Sequence, residues 1–222
     1  MIPIRDVIPS RTTPYVTIAL IVLNVLVYIG MPPAGSAAFE AFARTWGVTP
    51  ADFRLASVPT AMFVHAGAGH LASNMLFLWI FGDNVEDRLG HGRYLAFYLL
   101  CGLAAALLQV RVEAGSAMPM VGASGAIAGV LGAYLVLFPQ SRVLTLFFVV
   151  FVEVPATILL GAWFLVQLLS GLGALAIVGP DDMGRVAFWA HAGGFAAGAA
   201  LVLLLRRPER MRVEWWDQAG AR

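Results

Sequence analysis

Apolar residues gather into six runs along the chain, divided by polar breaks. The first run spans Tyr15 to Met31, the second starts near His70 and fades into GDNVEDRLG, and the third spans Tyr94 to Val110. The fourth spans Val121 to Pro139, the fifth roughly Val154 to Ile177, and the last Val186 to Leu205. A helix crosses a bilayer with about 20 apolar residues, so each run qualifies or nearly does, the second being the weakest. The breaks carry the charges, glycines and prolines of loops. The pattern predicts an all-α membrane protein, a polytopic bundle of six transmembrane helices. Two stretches outside the runs differ from ordinary loops. The first loop, residues 32–69, contains AAFEAFARTWGVTPADF, where aromatics among charges suit a short interfacial helix. SRVLTLFFVVFVEVP reads either as the start of the fifth span or as a membrane-hugging loop, and Glu153 and Pro155 favour a break there.

Composition points the same way. Of 222 residues, 60% are hydrophobic and 12% charged, with a mean hydropathy of +0.82. Soluble domains have about 45–50% apolar and about 25% charged residues. The single cysteine, Cys101, lies in an apolar run and reads as packing. A net charge of +1 gives no basis for a nucleic-acid partner. The first run follows fourteen fairly polar residues and is too long for the apolar core of a signal peptide, so no cleavable signal is expected.

All fourteen basic residues are arginines. With six spans, ten of them fall on the side of the termini and four (Arg44, Arg54, Arg111, Arg185) on the other. The positive-inside rule then places both termini in the cytoplasm. The expected layout is a cytoplasmic segment 1–14, a membrane domain 15–205 with its long loop 32–69 outside, and a basic cytoplasmic tail 206–222 with tryptophans suited to a membrane surface.

This orientation aligns the polar residues of three runs. Runs two, four and six all cross from outside to inside, so GHLASNM, VGASGA and FWAHAGG share the outer level. His70, Asn74, Ser124 and His191 are therefore expected at similar depth. Polar groups inside a membrane are costly and usually functional. A serine becomes a nucleophile when a base takes its proton, and histidine is the usual base. His191 is available to Ser124 if the two helices come close. Gly125, Gly129 and Gly132 on one, with Gly194 and Gly198 on the other, give the small faces that permit this. The same glycines would serve ordinary packing, and a serine in an apolar helix can simply bond a carbonyl one turn back. His70 and Asn74, four residues apart, share a helix face and could donate to an oxyanion; they could equally be a helix cap and interhelical glue. The backbone N–H of Ser124, near a helix start, is a third donor. The nearest carboxylates before His191 are Asp181 and Asp182, about ten residues away in a loop, so the reading is a Ser–His dyad.

GASG on the fourth run, HLASN opening the second and AHAGGFAAG on the sixth resemble the rhomboid intramembrane serine proteases. TAMFVHAGAGHLASNMLFLWIFGDNVEDRLG and VPATILLGAWFLVQL extend the likeness over residues 53–200. The resemblance implies a bacterial-type, six-span protease in the inner (cell) membrane, cleaving transmembrane protein substrates near the outer face, with no cofactor and no metal. It implies Ser124 as nucleophile, His191 as general base, and His70, Asn74 and Ser124 around the oxyanion hole. His65 would lie in the outer approach, with Gly122, Gly125 and Gly194 in support. Glu86 and Arg88 match a structural charged pair, and Gln109 falls near a glutamine that helps hold catalytic water. Phe77 and Trp163 are gate candidates between the second and fifth spans. The substrate helix would unwind at its end, with a small residue such as alanine before the cut. Two positions depart from the pattern. Ala56 and Ser57 stand where some members carry Trp-Arg. Ala128 stands where some stack a tyrosine on the histidine, so Phe188 or Trp189 is expected to help hold His191.

Other functions fit less well. Non-catalytic rhomboid-like binders of membrane segments lack the serine or the histidine, and both are present here. A metal site on His65, His70 and His191 has neither an HExxH motif nor an intramembrane carboxylate to complete it. A transporter would be expected to show an internal repeat, and none is visible. The sequence carries no signal for an oligomeric state.

Overall fold

The computed structural model describes residues 2–177 and 187–207. Each of the six apolar runs forms a helix: α1 (Tyr15–Gly30), α4 (Ala68–Leu89), α5 (His91–Val112), α6 (Ser124–Leu137), α7 (Ala156–Ile177) and α8 (Phe188–Leu205). Two shorter helices, α2 (Ala37–Trp46) and α3 (Ser57–Ala61), lie in the first loop. α2 begins at the Ser36 cap, whose Oγ accepts the Phe39 N–H at 3.1 Å, and turns Phe39 and Ala43 inward. Val186, Asp181, Asp182, Arg185 and the tail beyond Arg207 lie outside the described residues.

Among the described residues three helices are long and apolar enough to cross a membrane: α5, the first part of α7, and α8. α1 and α6 are equally apolar but shorter, and α4 has the length but carries Asp83, Glu86, Asp87 and Arg88 in its last turns. The protein is a multi-pass integral membrane protein. At fourteen residues, α6 rises about 21 Å, against a hydrocarbon core of about 30 Å. The fourth run was expected to be helical from Val121; instead residues 121–123 are loop, with Gly122 at φ +122°.

α6 is the central helix. Every residue from Gly125 to Tyr134 is buried, as expected of a helix apolar on all sides. α4, α5 and α8 surround it. Leu78 and Phe81 of α4, Tyr94, Phe97 and Tyr98 of α5, and Val202 of α8 complete the core. Against α8 the approach is backbone to backbone. A Cβ on Gly194 would run into the Gly125 carbonyl, and one on Gly198 into the Gly129 carbonyl.

The far end of the bundle is tied by carboxylates. α1 has no side-chain cap of its own. Glu86, fully buried, supplies one from α4: its carboxylate accepts the N–H of Val16 (2.9 Å), the N–H of Thr17 (2.8 Å) and the Thr17 hydroxyl (2.7 Å), and meets His91 Nδ1 at 2.6 Å. Of the expected Glu86–Arg88 charged pair, Glu86 holds α1 and His91, and the Arg88 guanidinium also stands over the Phe138 ring, 5.5 Å from its centroid. Asp87 likewise accepts from the backbone of Arg11 and Thr12.

The all-α expectation needs one correction. Residues 2–6, expected only as a cytoplasmic segment, form strand β1 (Ile2–Asp6), and SRVLTLFFVVFVEVP forms a hairpin of β2 (Arg142–Phe147) and β3 (Val150–Pro155). The three make an antiparallel sheet in the order β1-β2-β3. The stretch is β-branched and aromatic on both faces, so it lacks the alternation that announces a strand. Val143 and Thr145 face inward, and Asp6 anchors β1, accepting from the Tyr134 hydroxyl at 2.6 Å and from Asn84 Nδ2 at 3.0 Å. Burial pushes the Asp6 carboxyl up to about 7, with nearby Asp83 adding to the effect and Tyr134 opposing it.

Two outcomes are expected. Gly198→Leu should destabilise the detergent-solubilised protein by the about 1–3 kcal/mol typical of overpacking, read as a lower melting temperature, because the obstacle is backbone and cannot rotate away. Asp6 binds its proton more tightly folded than unfolded, so its contribution is full below about pH 4 and fades as pH rises to about 7. Asp6→Asn should therefore raise the melting temperature at pH 8, with the gain shrinking towards pH 4; a gain independent of pH would contradict the assignment.

Candidate active site

Ser124 is the first residue of α6, so its N–H has no acceptor within the helix. Its Oγ lies 2.7 Å from Nε2 of His191, in the first turn of α8. The glycine contact between α6 and α8 one turn further in makes this distance attainable. His191 is 8% exposed. Its other nitrogen, Nδ1, lies 2.7 Å from Oε1 of Gln167 on α7. An amide oxygen only accepts, so Nδ1 carries the hydrogen and Nε2 presents its lone pair to the Ser124 hydroxyl. The Trp163 ring, also on α7, packs at 5.8 Å from the imidazole at 40°. α7 thus does what a tyrosine at Ala128 would do. Phe188 and Trp189, expected to help, flank the same turn of α8, with Phe188 Cβ and the Trp189 ring close to Gly171 of α7.

Asn74 and His70 form the facing wall. Asn74 Nδ2 donates to His65 Nε2 at 2.9 Å, and His65 Nδ1 donates to the Phe63 carbonyl at 3.3 Å. His65, fully buried, is held neutral: burial pushes its pKa down to about 4, and nearby His70 adds to this. The neutral ring fixes the Asn74 amide as a donor and leaves its second N–H free to point elsewhere. His70 stacks edge-on against His65 with ring centroids 5.0 Å apart. Gly122 presses the loop before Ser124 onto this wall. A Cβ there would lie 2.7 Å from His70 Cε1 and 3.7 Å from Asn74 Nδ2.

The elements enclose a cavity of about 770 Å³ lined by His70, Asn74, Ser124, His191, Phe77 and Trp163. α7 packs on α8 and α6, α4 packs on α1, α5 and α6, and no comparable packing joins α4 to α7. Phe77 and Trp163 line the cavity on either side of that gap. Gln109, buried, accepts the Ala190 N–H at 3.0 Å and ties α5 to the first turn of α8 beside the histidine. The first loop, residues 32–69, is braced without Trp-Arg. Val48 and Met120 exchange backbone hydrogen bonds of 2.9 and 2.7 Å, and the buried Ser57 donates to the Arg54 carbonyl at 2.7 Å.

The structure therefore brings Ser124, His191, His70, Asn74 and His65 to one place. Gly125 and Gly194 lie in the α6–α8 contact, and Glu86 and Arg88 lie at the opposite end of α4. Among the described residues no three His, Cys, Asp or Glu side chains converge as metal ligands. Sequence reasoning missed Gln167. Its signal was available: one amide in the apolar run ATILLGAWFLVQLLSG, where a polar side chain needs a partner.

The model of the rhomboid domain matches residues 52–208. The chain belongs to the rhomboid family. It is 36% identical over 145 residues to the rhomboid protease GluP of Bacillus subtilis, covering 65% of this chain and 25% of that protein. It is 31% identical over 148 residues to the mitochondrial rhomboid protein 1 of Saccharomyces cerevisiae, covering 64% and 39%. It is 34% identical over 149 residues to RHOMBOID-like protein 5 of Arabidopsis thaliana, covering 66% and 43%. The chain thus spans less than half the length of these relatives.

Gly122→Ala should cost about 1–3 kcal/mol, the range for a side chain forced into a disallowed backbone region. The loss should appear as a lower melting temperature. An unchanged melting temperature would show that the loop does not need its positive φ.

Proposed function

We propose that this rhomboid is an intramembrane serine endopeptidase that cleaves transmembrane segments of membrane proteins near one face of the bilayer through a Ser124–His191 dyad. The 2.7 Å approach of Ser124 Oγ to His191 Nε2, with the Nδ1 hydrogen held by Gln167, carries this reading. The Ser124 proton passes to Nε2 as Oγ bonds to the scissile carbonyl carbon. The negative charge on the carbonyl oxygen is met by the Ser124 N–H, Asn74 and His70. The imidazolium then returns its proton to the departing amine as the C–N bond breaks, leaving an acyl-serine. Water, deprotonated by the same nitrogen, releases the new carboxylate. No second proton acceptor is required, because Gln167 orients and polarises the ring without taking its hydrogen. The substrate segment reaches the cavity through the gap between α4 and α7, past Phe77 and Trp163. A peptide bond inside a helix is shielded, so the segment unwinds before attack.

In this account α1, α4, α5, α6, α7 and α8 all cross the bilayer. Arginine placement supports both termini on the cytoplasmic side, with the cavity near the opposite face; the membrane in this reading is a bacterial inner membrane.

The test is cleavage of a panel of labelled single-span proteins by the purified protein in lipid. Ser124→Ala and His191→Ala should both abolish turnover, since nucleophile and base act as a unit. Asn74→Ala should retain a residue, down about 10²–10³-fold, the usual cost of one oxyanion donor. Full turnover by Ser124→Ala would falsify the assignment. Gln167→Leu should lower kcat with little change in KM, because the ring loses its orientation and not its substrate contacts. Gln167→Glu should restore part of the loss, since its carboxylate can again accept from Nδ1. Equal losses in both variants would assign Gln167 to packing alone.

A further inference from the structure

The β2–β3 hairpin ends in a run of large apolar side chains left exposed among the described residues. Phe148 is 85% exposed and Val149 88% exposed, and Phe147, Val150, Phe151 and Val152 are exposed around them. Three further observations bear on what covers this tip.

Charge is segregated along the sheet. The cross-strand row Arg5–Leu144–Glu153 sits at the base, beside the Arg142–Glu153 ion pair at 3.9 Å. One row nearer the tip on the same face stands Ile2–Leu146–Phe151, and no residue between Val143 and Val152 is charged. A hairpin in water alternates polar and apolar faces; here the change runs along the strands, from a charged base to an apolar end. The turn itself works against local preference. Phe148 has φ +54°, a conformation that two-residue hairpin turns normally give to glycine, asparagine or aspartate. A bulky aromatic in that region is an outlier. The ring leans edge-on against Phe147, centroids 4.9 Å apart, and most of it stays exposed. Finally, the tip is continuous with lipid-facing surface. β3 runs into α7 with no residue between them, and Ile158, Leu165, Val166 and Leu169 of α7 are exposed apolar residues of a membrane span.

We infer that the hairpin tip, Phe147 to Val152, is inserted into the boundary between headgroups and acyl chains of the surrounding bilayer, on the side of the protein opposite Ser124. The occupant of the patch is phospholipid. The depth is limited by the backbone. β3 is an edge strand with unpaired N–H and C=O groups, which the hydrocarbon core does not tolerate but the interface does. Arg5 and Arg142 at the base then lie at headgroup level. The inference rests on the protein being in a membrane and not on its protease chemistry.

The test uses the full chain in phosphatidylcholine–phosphatidylglycerol vesicles, with an environment-sensitive fluorophore on Val149→Cys in a Cys101→Ala background, and a second preparation labelled at Arg5→Cys. The label at 149 should emit to the blue of the label at 5. It should lose fluorescence to lipids brominated near the headgroup end of the acyl chain and little to aqueous iodide, while the label at 5 should show the reverse bias. The pattern should be unchanged when protein is diluted in lipid, as mass action requires for contact with lipid itself. Iodide quenching at 149 equal to that at 5 would place the tip in water and overturn the inference. Lipid quenching that appears only on dilution would show a second copy of the chain on the tip, and overturns it as well. Phe148→Gly supplies an independent arm. It relaxes the turn, so stability in detergent should be equal or higher, while lipid quenching at 149 should fall. A loss of stability in detergent would mean that Phe148 packs within the protein, contrary to the inference.

Discussion

The contact between the backbones of α6 and α8 governs the rest of the molecule. The Gly125 and Gly129 carbonyls lie where Gly194 and Gly198 lack a Cβ. In a membrane, lipid tails are as apolar as leucine, so helices associate through close packing and polar contacts more than through exclusion of water. Removing four side chains from one seam lets two helices approach until their main chains touch. The first turns of both helices then stand side by side, and a hydroxyl on one reaches a ring nitrogen on the other. Placing Ser124 at the first position of α6 gives it two further properties, a free N–H and the positive end of the helix dipole.

The second constraint is the cost of charge in an apolar bundle. A carboxylate on His191 would carry a full charge into a site of low dielectric, with a desolvation penalty of several kcal/mol. Gln167 performs the orienting part of that role with a neutral group. It selects the tautomer that leaves Nε2 free, and Trp163 limits rotation of the ring from one side. The facing wall uses the same economy of charge: His65 stays neutral and serves as an acceptor that orients Asn74. Charged groups are concentrated instead at the other end of α4, where Glu86 caps α1 and Asp87 holds the chain leading into it.

The helices were legible in the sequence, because each is an apolar run bounded by charges, glycines and prolines. All six apolar runs became helices, and four polar residues expected at one level do meet around one cavity. Three features were not legible, each for a physical reason. The hairpin at 142–155 is apolar on both faces, so its period of two is invisible. Ser124 heads its helix because Gly122 takes a positive φ, which a run of apolar letters does not announce. Gln167 was passed over because a triad was sought among carboxylates, whereas in a bundle this apolar the suitable acceptor is an amide. Glu86 itself finds partners across the bundle, in the first turn of α1 and at His91.

The central claim is that Ser124 is an activated nucleophile held by His191. A fluorophosphonate forms a bond only with a serine whose proton is being removed, so the site of its adduct reads the claim directly. The account predicts a single adduct, mapped by mass spectrometry to Ser124 in the bilayer-reconstituted protein and lost in His191→Ala. No adduct, an adduct on another residue, or labelling of Ser124 that persists without His191 would contradict it.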